Sequence, residues 1–188
     1  MAEFWFRYRR NRAAVLGLGI LFTILIMAAT AHLFYPEDPF RLVGRPLSGP
    51  LENGFLLGSD SLGRDVASGI VHGAKTSLLI GLIATLVSVF IGIFFGAFAG
   101  YFGGRIDDLL MRITEIFQTI PSFIFAILLV AIMKPSIVSI VIAIAVVSWP
   151  GVARLVRGEF LSLKNREFVQ ACHTLGMSDL RVMMREIL

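Results

Sequence analysis

Four stretches of the 188-residue sequence contain no Asp, Glu, Lys or Arg: residues 13–35, 76–104, 116–133 and 135–153. An α-helix rises about 1.5 Å per residue and the hydrocarbon of a bilayer is about 30 Å thick, so about 20 apolar residues suffice to cross it. The pattern predicts four crossings, the first two of ample length and the last two near the lower limit. The first run exceeds the apolar core of about 7–15 residues in a cleavable leader, so it predicts a retained span. Residues 36–54, with Pro36, Pro39, Pro46 and Pro50 and several glycines, predict irregular chain. Beyond them Leu62, Val66, Ile70 and Ala74 recur every fourth residue. That spacing predicts an amphipathic interfacial helix over 61–75, with Asp60 or Ser61 as its N-cap.

Composition agrees with lipid as part of the solvent. Hydrophobic residues make up 56% and charged ones 16%, where a soluble domain carries about a quarter charged. Disorder is excluded by the hydrophobicity, and a disulfide scaffold by the single cysteine, Cys172. The net charge of +4 gains meaning from where the charges lie. Twelve Lys and Arg fall in residues 1–12, 105–115 and 154–188, against five in 36–75 and at Lys134. Basic residues in short connections mark the cytoplasmic side. The sequence therefore predicts a cytoplasmic N-terminus (1–12), spans at 13–35 and 76–104, and an external connection at 36–75. A cytoplasmic loop (105–115), spans at 116–133 and 135–153, and a cytoplasmic tail (154–188) follow. The basic excess reads as orientation and attraction to anionic lipid, with no nucleic-acid partner.

Within the second span, Gly92, Gly96 and Gly100 form a small-xxx-small ladder on one face, which predicts close approach of another helix, in this chain or a different one. Gln118 and Pro121 in the third span, and Trp149 and Pro150 in the fourth, are the candidate pathway or hinge positions; ordinary kinks and an interfacial Trp anchor are the simpler reading. Catalytic chemistry finds little support. His32, His72 and His173 fall in three different compartments of this topology and are not expected to share a metal. No acidic residue inside a span offers a proton relay. Residues 69–76, GIVHGAKT, miss the phosphate-loop pattern because Ala74 separates Gly73 from Lys75. The expectation is a chain with no catalytic residues, no metal and no ATPase site.

The tail is the informative segment. Phe168, Cys172 and Leu175 share a helical face, and Gly176 stands where a C′ glycine ends a helix. Ser178 can cap a second helix with an apolar stripe of Leu180, Met183, Met184 and Ile187. A knob of that kind, bearing Met and aromatic side chains fringed by charge, suits a partner's groove; an interfacial helix on lipid is the plainer alternative.

These residues also carry a resemblance. REFVQACHTLG followed by MSDLRVMMREIL is similar to the cytoplasmic signature loop, E-A-A-x-x-x-G, of binding-protein-dependent ABC importer permeases. Gln170, Ala171, Cys172 and Gly176 occupy its positions, with Gln in place of Glu and Cys in place of the second Ala. LGSDSLGRDVASGIVHGAKTSLLIGL (57–82) and WPGVARLVRGEFLSL (149–163) resemble the C-type subunit of the dipeptide, oligopeptide and nickel permeases, and RRNRAAVLGLGIL is compatible with it.

The resemblance implies an all-α integral membrane fold: four transmembrane helices of a six-helix permease core, incomplete over 56–188, with a helix–turn–helix coupling loop. In the family a Pro and further spans follow the signature, so the expectation is a fragment or truncated product. Implied partners are a second permease subunit, two cytoplasmic ATPase subunits that bind the ATP, an extracytoplasmic substrate-binding protein and the bilayer of a bacterial inner or plasma membrane. The implied ATPase contacts are Gln170, Ala171, Cys172, Leu175, Gly176 and Met177. The implied substrate is a short peptide, with nickel, or a non-transporting scaffold role, as alternatives.

Overall fold

The computed structural model describes residues 2–188. Met1 of the expected segment 1–12, and the side chains of residues 2–4 and of Arg7, lie outside the described residues. The chain forms two compact units, the second beginning at Ile80.

In the first unit α1 (Ala2–Arg10) precedes α2 (Arg12–Ala29), whose first turn is capped by the Asn11 side chain accepting the Ala14 N–H at 3.2 Å. The span expected over 13–35 is not one helix. The Thr30 hydroxyl turns back to donate to the Ile26 carbonyl at 2.8 Å, α2 ends there, and the single turn α3 (Ala31–Phe34) follows.

The segment between α3 and α4 lacks regular elements, as its prolines and glycines predict, but its backbone is closely paired. Val43 and Gly44 donate to the Gly63 carbonyl, Leu47 to Asp60 and Ser59 to Ser48. Ser59 Oγ donates to the Arg45 carbonyl at 2.6 Å and accepts from the Ser48 N–H at 3.0 Å. The separate helix expected over 61–75 does not form. Residues 60–64 are a turn in which Asp60 Oδ1 accepts the N–H groups of Leu62 at 2.8 Å and Arg64 at 2.9 Å. The helix cap is Asp65 in place of Asp60 or Ser61: its carboxylate accepts from Ala67 at 2.8 Å and Ser68 at 3.3 Å. From there α4 (Val66–Phe102) continues unbroken, and residues 69–76 are helical throughout.

In the second unit, helix bounds depart from the charge-free blocks. The segment 105–115, expected as a loop, lies within α5 (Gly104–Thr119). The span expected over 116–133 is broken: α5 ends, Ile120 is extended (φ −90°, ψ 130°), and α6 (Ser122–Ile132) leaves at 79°. Pro121 is the cause, since it has no N–H to continue the ladder and forces the preceding residue out of helical geometry. Ser136 caps α7 (Ile137–Leu163) through the Ser139 N–H at 3.1 Å. This helix runs ten residues past the expected end of its span, through Pro150 and the charges beyond. Then come α8 (Glu167–Thr174), the short α9 (Asp179–Val182) and one wide π-turn, Met183–Ile187.

In this unit α4 approaches α7 closely along its glycine ladder. A Cβ on Gly92 would strike Val152, one on Gly96 would strike the Ala153 carbonyl oxygen and Val156, and one on Gly100 would strike Phe160 and the Arg157 carbonyl. The glycine ladder thus faces a helix of the same chain, with backbone nearly on backbone. Lipid tails give apolar helices little reason to associate, so such close van der Waals contact is what holds them together. Below the ladder a small core gathers Ala97, Phe160 and Met183, bordered by Phe98, Tyr101, Val156 and Ile187.

Two expectations follow. Gly96→Ala should destabilise the folded chain by about 1–3 kcal/mol through overpacking, whereas Gly81→Ala, with open space at its Cβ, should be neutral or stabilising because Gly is a poor helix former. Thermal melts of both variants in micelles test the opposite signs. The Asp60 carboxyl is held below its usual value of 3.8, chiefly by the Arg64 N–H and against the opposing effect of burial. Its stabilisation is complete above that value and disappears as pH falls through the lower, folded value. Hydrogen exchange of residues 43–65 should therefore accelerate on acidification, and Asp60→Asn should flatten that dependence.

Candidate functional site: the C-terminal knob and its anchors

The knob is built on a left-handed turn. Gly176 has φ +78°, its N–H donates to the His173 carbonyl at 2.9 Å, and the Met177 N–H donates to the Cys172 carbonyl at 3.1 Å. These two bonds form a Schellman motif, which reverses the chain while satisfying the last carbonyls of α8. Ser178 occupies the next N-cap position but makes no side-chain cap bond.

The apolar faces differ from the expected stripes. Val169, Val182 and Met183 are the buried side chains. Cys172 is half-buried with a free thiol, and Phe168 and Leu175 are exposed, Leu175 at 82%. In the second stripe Leu180 and Met184 face outward, and Ile187 is half-buried. The π-turn rotates Met183 inward and Met184 outward, which a regular 3.6-residue period does not anticipate. Gln170, Ala171 and Gly176 are exposed and Met177 is half-buried. The knob therefore has an inner face against its own chain and an outer apolar face of Phe168, Leu175, Leu180 and Met184.

Side chains that sequence reading does not single out anchor the knob. The Tyr101 hydroxyl, at the end of α4, donates to Asp179 Oδ1 at 2.9 Å and lies 3.3 Å from His173 Nε2. His173 Nδ1 lies 3.7 Å from the same carboxylate oxygen, an ion pair when the imidazole is protonated. Lys164 Nζ donates to the Gly100 carbonyl at 2.9 Å, placing a cation on the unsatisfied carbonyl end of α4. Asp107 in the first turn of α5 holds Arg157 of α7 in a bidentate pair, with Nε to Oδ1 at 2.5 Å and Nη2 to Oδ2 at 2.6 Å. Planar two-point pairs of this kind fix orientation as well as adding energy. Their partners are 50 to 78 residues apart, so no local spacing reveals them; charge beside a span is the only sequence signal.

The remaining candidates scatter. Trp149 is buried, its ring 4.7 Å from Phe95 and 5.3 Å from Phe117, and Pro150 beside it is buried in continuous helix. Trp149 is thus a packing residue of the helix core. Gln118 and Pro121 are exposed at the break after α5. One expectation about the histidines is overturned: His32 and His72 meet edge to face at 5.4 Å, and His72 Nε2 donates to the Tyr35 carbonyl at 2.9 Å. The reason is that α3 turns the end of the first span back toward the start of α4. Among the described residues no three His, Cys, Asp or Glu side chains gather as a metal group.

Removing the Tyr101 hydroxyl tests the anchor. Tyr101→Phe should cost about 1–2 kcal/mol of local stability, because a carboxylate loses its donor. Amide exchange in residues 167–182 should accelerate about tenfold while α2 is unchanged.

Comparison with known proteins meets this geometry at both ends of the chain. Residues 1–48 match the N-terminal TM domain of oligopeptide transport permease C. A dipeptide transport system permease protein of Bacillus subtilis is 37% identical over 184 residues, covering 98% of this chain and 58% of the relative. A di/tripeptide transport system permease protein of Pseudomonas aeruginosa is 39% identical, covering 97% and 62%. An oligopeptide transport system permease protein of Salmonella typhimurium is 43% identical, covering 96% and 61%. The chain thus spans about three fifths of the length of these relatives. Residues 92–188, which hold the glycine ladder, the anchors and the knob, match the binding-protein-dependent transport system inner membrane components, and the chain belongs to that family.

Proposed function

We propose that the chain is a permease subunit of an ATP-driven importer of short peptides, coupled to a separate ATPase through the knob at 167–188. The relatives named above are described as peptide permeases, and none of the three as a nickel permease or a scaffold. The observation that carries the mechanism is the two-sided knob. Its inner face and the Tyr101 anchor tie it to α4 and α7, while Phe168 and Leu175 stand outward. On this reading an ATPase groove takes the outer face, with Gln170, Ala171, Cys172, Leu175, Gly176 and Met177 as contacts. The charge distribution supports a cytoplasmic N-terminus and knob.

Force transmission follows from the anchors. Closure of an ATPase dimer moves the knob; Tyr101, Lys164 and the Asp107–Arg157 pair pass that displacement to α4, α5 and α7 as a body. Nucleotide biases only those states that dock the knob differently. ATP resides on the ATPase partners, a second permease subunit completes the pathway, and an extracytoplasmic binding protein delivers the peptide.

The test uses the assembled transporter. An ATPase subunit should co-purify with the chain, and reconstituted vesicles should accumulate dipeptide when ATP is supplied. Gly176→Val places a β-branched side chain at φ +78°, a strain of about 1–2 kcal/mol or more. Uptake per ATP hydrolysed should fall about tenfold while hydrolysis persists. Wild-type coupling in that variant would refute the role of the turn.

A further inference from the structure

The first two helices meet at an elbow where exposed cations and exposed aromatic rings adjoin an apolar span. Asn11 separates α1 from α2 with extended backbone (φ −90°, ψ 100°). Three hydrogen bonds set the corner. The Asn11 N–H donates to the Tyr8 carbonyl at 3.1 Å, Asn11 Oδ1 accepts the Ala14 N–H at 3.2 Å, and the Tyr8 hydroxyl donates to the Ala14 carbonyl at 2.8 Å. Beyond it α2 has 18 residues, uncharged after Arg12; its length of about 27 Å is close to the hydrocarbon thickness. A crossing by α2 therefore puts the corner at the edge of the hydrocarbon. The arginines of α1 keep that helix out of the acyl chains, so it falls at the level of the lipid headgroups.

At that level the chain presents two kinds of side chain. Trp5 is 54% exposed and Phe6 72%, and the Trp5 ring rests edge-on against Tyr8 at 5.9 Å. Arg9 and Arg10 follow one helical turn later, at i+4 from Trp5 and Phe6, and Arg12 opens α2. All three arginines are exposed, and among the described residues none of their side chains enters an ion pair or hydrogen bond. Arg10 and Arg12 flank an open notch of about 570 Å³ at the elbow. Tryptophan favours the boundary between headgroup and acyl chain, long basic side chains lay their stems on apolar surface with the charge in the polar layer, and a guanidinium grips phosphate oxygens by two-point hydrogen bonds. The elbow holds these groups within a residue of the span, where phospholipid is the partner at hand. We propose that α1 and the elbow form a binding surface for anionic phospholipid, with Trp5 and Phe6 at the acyl boundary and Arg9, Arg10 and Arg12 on the headgroup phosphates. This surface is separate from the knob and does not depend on the transport reading.

The test uses the full chain reconstituted in bilayers, with Trp5 as the probe. The fluorescence of the unmodified chain minus that of Trp5→Phe isolates Trp5 from Trp149, the other tryptophan. In phosphatidylcholine brominated on its acyl chains, Trp5 should be quenched, which places its ring at the acyl boundary. Unlabelled phosphatidylglycerol should then relieve the quenching at least about fivefold more effectively than unlabelled phosphatidylcholine, the preference that one basic residue gives at an anionic surface. Salt at about 0.5 M should weaken that preference. Arg9→Gln, Arg10→Gln and Arg12→Gln combined should bring the two lipids to parity with helix content unchanged by circular dichroism, whereas the three Arg→Lys changes should retain a preference. If the triple Gln variant loses helix, Arg10→Gln alone should still lower the preference severalfold. Absence of Trp5 quenching, equal relief by the two lipids, or a preference that survives the Gln substitutions would overturn the proposal. So would loss of quenching when the ATPase subunit is added, which would assign the surface to protein. Peptide uptake is not a readout here, so either result leaves the transport reading where it stands.

Discussion

The second unit depends on the near-contact of two backbones. Gly92, Gly96 and Gly100 let α4 lie against α7 at a distance no side chain would permit. Water does not drive this association inside a bilayer, so each lost contact is felt directly. Because the ladder aligns α4 with α7, Gly100 and Tyr101 come within reach of Lys164, and Ala97 within reach of Phe160 and Met183. The packing of the knob is thus downstream of the spacing between two helices in the membrane.

The anchors convert that alignment into mechanical continuity. Arg157 lies one turn after Ala153, which faces Gly92 and Gly96, and it reaches α5 through Asp107. Tyr101 and Lys164 tie the C-terminal end of α4 to Asp179 and to the end of α7. A displacement at the Gly176 turn meets charge-assisted hydrogen bonds and a tightly packed core. Neither yields gradually, so the knob and the helices it is tied to move as one stiff body.

What could be read from the sequence was what lipid imposes. Continuous apolar runs and a ladder of small residues are demands of the solvent, and they are visible without tertiary knowledge. Helix ends were harder, because charge is an imperfect marker of where a helix stops. The charge pattern predicts a loop over 105–115, yet Ile106, Leu110, Ile113 and Phe117 already carry a helical period there. Pro121 announces the break after α5, but the apolar run across it hides the bend. The anchors were illegible for a different reason: Tyr101 with Asp179, and Asp107 with Arg157, meet only once the helices are packed.

The elbow at Ile120–Pro121 has a consequence for the surrounding lipid. The α6 helix has 11 residues, about 16 Å of length, little more than half the hydrocarbon thickness. The α5 helix before it bears Arg105, Asp107, Asp108, Arg112 and Glu115, and cannot supply the missing depth. Around this corner the bilayer must pinch inward, or neighbouring protein must screen the bent backbone from acyl chains. Where acyl chains and not protein cover this corner, their length is a variable to which it is mechanically exposed.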